Sequence, residues 1–186
     1  MIPYMIKHCA PALARIKVAN LFSYPYLSEY QLQQELVEVN QILDQVHLVA
    51  QVLKHGQKRA LVYVYEKKQL EKRLNQLEIK TFLENIGYQM NSVEVCLSHL
   101  KDRLMSNETF PHEIGFFLGY PYEDVVGFIE HEGKAYLYKG YWKVYSHLEE
   151  TKELFELYSR YKEDYSLKYE QGQTFERLLL ASHESR

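Results

Sequence analysis

From Ser28 onward, Leu32, Leu36, Val39, Leu43, Val46, Ala50 and Leu53 recur at alternating spacings of four and three. No other feature limits the fold of this chain as strongly, because that spacing stacks apolar side chains along one face of a helix. Ile42 and Val49 widen the stripe, so the spacing predicts a core-facing helix from Ser28 to a stop at Gly56. Only about three heptads are present, which favours an internal helix over a coiled coil. Composition agrees with a buried core: 46% of the 186 residues are hydrophobic and 25% are charged. A chain of this length needs no disulfide or metal staple.

The other segments follow from local rules. Pro11 can occupy the first turn of a helix, which predicts a short helix over Pro11 to Arg15 with Cys9 or Ala10 at its N-terminal lip. Lys17 to Tyr24 reads as a strand closed by Pro25. Arg59 to Tyr65 is a near-continuous run of β-formers and reads as a central strand covered on both faces. A helix carrying Leu70, Leu74, Leu77, Phe82 and Leu83 should end at Gly87. Asn91 with Glu94 resembles a capping box opening a helix with Val93, Cys96, Leu97, Leu100 and Leu104. Two short helices flank Gly119-Tyr120-Pro121, and Ala135 to Tyr145 is extended, with Lys139-Gly140 as the place for a break. Leu154, Tyr158, Tyr161 and Tyr165 mark a helix from Leu148, and Phe175, Leu178 and Leu179 mark a last one. The expected class is therefore α+β: one mainly helical domain over residues 1–186, with long helices packed on a sheet of about three strands.

Charge and composition narrow the partners. The net charge of −3 gives no broad basic footprint for nucleic acid. No apolar run has the length of a membrane span, and the first residues lack the pattern of a secretory signal. Two cysteines, Cys9 and Cys96, fall in no pairing pattern, so a reducing, cytoplasmic setting is expected. The 17 tyrosines against one tryptophan suggest a wet-edged core or an exposed aromatic surface. Lysines interleave with aromatics over Lys134 to Tyr145, a pattern that on strands can bind single strands. With this net charge, a strand with its aromatics in the core and its lysines in water is the preferred reading. No phosphate loop, nucleotide fingerprint or serine elbow is present, and no cofactor is expected.

Cys9 is the leading candidate for chemistry, since a helix N-terminus lowers a thiol's pKa. A small buried hydrophobe is its plain alternative. Cys96, in step with Val93 and Leu100, is expected in the core. His112 follows Pro111 at a helix start and can cap, bind metal or act as a base. Glu113 beside it fits a first-turn acid, and Asp124 fits either a cap or an inward group that orients His112. Cys, His, Asp is also the chain order of papain-like thiol enzymes, whose local cysteine signature is absent here. His8, Cys9, His112 and Glu113 are metal-ligand types, but they lack the spacing of a zinc-protease motif.

His8-Cys9-Ala10-Pro11 with Asn20-Leu21-Phe22, Phe110-Pro111-His112-Glu113-Ile114-Gly115, Leu118-Gly119-Tyr120-Pro121 with Asp124, and Gly140-Tyr141-Trp142-Lys143-Val144-Tyr145 together resemble a bacterial family. It is numbered 3793 among the domains of unknown function. The resemblance covers nearly the whole chain and implies no established activity or catalytic residues. Ala12 and Arg15 stand where the resemblance leads one to expect threonine and glycine.

Two functions follow. A thiol-dependent hydrolase or acyl transferase would use Cys9 as nucleophile, His112 as base and Asp124 or Glu113 as orienter. A non-catalytic regulatory module would instead bind a small molecule or a protein, with Cys9 and His112 structural.

Overall fold

The computed structural model describes residues 1–106 and 110–184. They fall into two compact units, one of residues 1–69 and 160–184, the other of residues 70–106 and 110–159.

The first unit is built on a three-stranded antiparallel sheet. Its strands are β1 (Ala19–Pro25), β2 (Leu48–His55) and β3 (Arg59–Glu66), in the order β1-β3-β2. β3 is the central strand, as its unbroken run of β-formers predicts. In register, Phe22, Val62 and Val52 share one face, with Asn20, Val64 and Ala50 one step along. That face packs with Met5, Ile6, Cys9 and Leu13 of α1 (Ile2–Leu13) and with Leu32, Leu36, Val39 and Leu43 of α2 (Glu29–Asp44). Tyr165 of α8 (Leu148–Glu170) and Phe175, Leu178 and Leu179 of α9 (Phe175–Glu184) complete the same core. The class is α+β, with helices on a small sheet.

The stripe that begins at Ser28 is not one helix. Ser28 Oγ does cap α2, accepting from the Gln31 N–H at 3.2 Å. The helix ends at Asp44, however, and His47 turns the chain at φ 58° into β2. Leu48, Ala50 and Leu53 are buried, but as strand residues, with a bulge between Val52 and Lys54. The β-rich run Leu48-Val49-Ala50-Gln51-Val52-Leu53 satisfies a helical spacing and a strand preference at once. Pairing with β3 decides between them. Asn40 fastens the result: its amide donates to Ala50 O at 2.8 Å, and its Oδ1 accepts from the Ala50 N–H at 2.8 Å. Both polar groups of an edge-strand residue are thereby satisfied from α2.

α1 also departs from expectation. The proline in its first turn is Pro3, not Pro11, and Cys9 lies well inside the helix. Ile2, Met5, Ile6, Cys9, Ala10 and Leu13 form a helical stripe of their own. Pro11 has no N–H for the helical ladder, and the next amide, Ala12 N–H, donates to Asn20 Oδ1 at 3.2 Å. Arg15, just past the helix, has φ 56°, the left-handed conformation that favours glycine. The glycine implied at this position by the family resemblance thus has a physical reason. Arg15 meets the strain with a guanidinium bond to Val46 O.

The second unit holds α4 (Leu77–Asn85), α5 (Val93–Met105), α6 (Ile114–Phe117), α7 (Tyr122–Glu130), the hairpin β4 (Tyr138–Lys139) and β5 (Lys143–Val144), and the first part of α8. α3 (Lys67–Leu74) leads into it. Instead of one helix up to Gly87, α3 and α4 are separate. Ser92, not Asn91, caps α5, accepting from the Val95 N–H at 3.3 Å. α6 closes as a Schellman motif, with Gly119 N–H donating to Phe116 O and Tyr120 N–H to Gly115 O. Gly119 supplies the φ of 78° this needs. Among the described residues no helix is long and apolar enough to cross a membrane.

Candidate functional site

Cys9 belongs to the first unit, and His112, Glu113 and Asp124 to the second. Cys9 has no exposed surface and lies in the α1 core. Burial pushes its thiol pKa up, against a smaller opposing effect of the Lys17 charge. The expected helix-start activation is absent because the helix begins at Ile2, far upstream of the thiol. Cys96 is buried on α5 as expected, its Sγ 3.7 Å from Gln89 O and its pKa raised by burial.

His112 and Glu113 are chain neighbours in different surroundings. The His112 ring is exposed and lies 4.7 Å from the Phe128 ring and 5.8 Å from the Phe110 ring. Glu113 is buried and accepts from Tyr88 Oη at 3.0 Å and from Arg103 Nε. Burial and that carboxylate raise the Tyr88 pKa. Tyr88 also stacks on His99 at 4.1 Å. Glu113 is therefore a buried brace between α5, Tyr88 and the start of α6 rather than a first-turn surface acid.

Asp124 turns inward, though not toward His112. Its Oδ2 accepts from Trp142 Nε1 at 2.6 Å. Its Oδ1 accepts from Tyr145 N–H at 2.7 Å, Ser146 N–H at 3.0 Å and Ser146 Oγ at 3.3 Å. One buried carboxylate on α7 thus fixes the strand after the hairpin turn. Trp142 stacks on Tyr120 at 4.5 Å and meets Phe155 edge-on at 4.5 Å. Of this segment's aromatics Trp142 lies in the core as expected and Tyr145 is half-buried, whereas Tyr136, Tyr138 and Tyr141 are exposed, as is Leu137 between them.

Sequence reasoning gave no signal for Lys17. This buried lysine donates to Ala19 O, and burial lowers its pKa to about 7. Phe128, which carries no sequence signal of its own, lies beside both His112 and Lys143. Among the described residues no group of three or more His, Cys, Asp and Glu side chains is placed to hold a metal ion.

Comparison with known proteins gives one match. The model of the family described as "Protein of unknown function (DUF3793)" matches residues 5–179. No curated protein and no solved structure matches this chain.

Proposed function

We propose, for a chain that belongs to the DUF3793 family of proteins of unknown function, that it serves as a non-catalytic protein-binding module whose contact surface is the β4–β5 hairpin. The observation that carries this reading is the two-sidedness of the hairpin. Leu137 is 60% exposed, and Tyr136, Tyr138 and Tyr141 are exposed with it. Behind them, Trp142 and Val144 are buried and Asp124 holds Trp142, Tyr145 and Ser146. Aromatic side chains on a fixed backbone contribute contact area with little conformational entropy to lose on binding, the usual make-up of an interface core.

The rival reading, a thiol-dependent hydrolase or acyl transferase acting through Cys9 and His112 with Asp124 or Glu113, asks for an accessible thiolate and an uncommitted carboxylate. Against it stand the burial and raised pKa of Cys9 and the hydrogen bonds that already occupy Asp124 and Glu113.

Selection of short random displayed peptides on the purified protein tests the proposal. Binders are expected that lose affinity for the Leu137→Ser/Tyr138→Ser variant, with Trp142 emission unchanged to show the hairpin intact. Cys9 should also resist iodoacetamide in the folded protein. Rapid Cys9 labelling near neutral pH, slowed by His112→Ala, would favour the thiol enzyme and overturn the module.

A further inference from the structure

We infer that Lys143 is a receptor for the carboxylate of an acidic side chain, carried by the partner segment that docks on the hairpin; this rests on the hairpin reading above. Lys143 Nζ donates to Gly133 O at 2.6 Å. It lies 5.4 Å from the centre of the Phe128 ring and 5.0 Å from that of Tyr136. The exposed His112 ring lies 4.7 Å from the same Phe128 ring. The ammonium is thus held in place by one carbonyl and two ring faces before any partner arrives.

Its charge meets no carboxylate among the described residues. Lys80, Lys134, Lys152 and Lys168 each pair with a carboxylate. Among the described residues Lys143 has no such partner. An ammonium has three donors and Gly133 takes one, so two remain for an incoming carboxylate. Gly133 is part of the construction. It has φ +69°, and a Cβ there would come within 3.0 Å of Phe128 and 3.2 Å of Lys143 Nζ. A side chain at this position would push the ammonium off its seat. The two rings beside the ammonium suit an apolar or aromatic neighbour of the acidic residue, so the occupant is a protein segment alternating acidic and aromatic residues rather than a small anion.

Three peptides test this: alternating Glu and Tyr, the same with Gln for Glu, and the same with Lys for Glu, titrated by fluorescence anisotropy against the whole protein. The Glu peptide should bind at least about tenfold more tightly than the Gln peptide, and the Lys peptide most weakly. Lys143→Met, which keeps the aliphatic stem, should abolish the Glu-over-Gln preference. If that variant fails to fold, Gly133→Ala serves instead and should weaken the preference. Equal binding of Glu and Gln peptides, lost in Leu137→Ser/Tyr138→Ser, sinks the carboxylate receptor and leaves the hairpin reading standing. Inorganic phosphate that competes as well as the Glu peptide would also overturn the proposal, since a segment would then be unnecessary. Failure of all three peptides to bind the folded protein counts against the hairpin reading itself.

Discussion

Asp124→Asn should loosen the second unit through the hairpin. The carboxylate accepts four hydrogen bonds, from Trp142, Tyr145 and twice from Ser146. An amide has one oxygen. Its better orientation keeps that oxygen on the Tyr145 and Ser146 donors and sets the NH2 against the Trp142 N–H. A buried donor left facing a donor costs about 1–3 kcal/mol. The surviving bonds fall from charge-assisted to neutral strength, about 1 kcal/mol for each good one. Removing a buried charge gives some of this back. The net expectation is about 3 kcal/mol of lost stability, a large share of the roughly 5–15 kcal/mol that holds a domain. In melting temperature that is about 6–12 °C for a chain of this size. Trp142 is the protein's single tryptophan, so its emission reports on this clasp directly, and urea titration followed by that signal is the assay. The mutant's native-state emission should also change as the indole loses its charged acceptor. A change smaller than about 0.5 kcal/mol, the range of ordinary surface substitutions, would refute the claim that Asp124 fastens the hairpin.

Lys17 makes stability depend on pH. Its pKa is about 7 in the folded protein against 10.5 for an ordinary lysine, so between those values the unfolded chain binds more protons than the folded one. Stability should rise with pH across that window, with this group contributing up to about 1.4 kcal/mol per unit, and the contribution should flatten below it. Lys17→Met should remove that slope in denaturation curves measured at successive pH; an unchanged slope contradicts the assignment. Leu43→Asp places an unpaired charge at a position with no exposure in the first unit's core. It should abolish the cooperative unfolding of that unit as followed by circular dichroism, and a well-folded variant with an unaltered melting temperature would show that the stripe does not face the core.

Elements whose signal is local were legible in the sequence. Ser28 caps α2, β3 is central because its run of β-formers suits burial on both faces, Val93 to Leu104 repeats at helical spacing, and Gly119 stops α6. These follow from hydrogen-bond supply and side-chain period, which a short window of sequence contains. Sequence and structure part where two local solutions compete. Leu48 to Leu53 satisfies helix and strand alike, and β3 and Asn40, both outside that segment, select the strand. Pro3 and Pro11 can each stand in a first turn, and the packing of Met5, Ile6, Cys9 and Leu13 on the sheet selects Pro3. That choice moves Cys9 from a helix mouth into a core and reverses the direction of its pKa shift. Residue types alone marked Cys9, His112, Glu113 and Asp124 as able to do chemistry. What each side chain does depends on partners that only tertiary structure supplies: Trp142 for Asp124, Arg103 and Tyr88 for Glu113, Phe128 for His112. A carboxylate or a thiol takes its character from the charges, donors and dielectric around it, and folding brings those surroundings from positions that no local pattern connects.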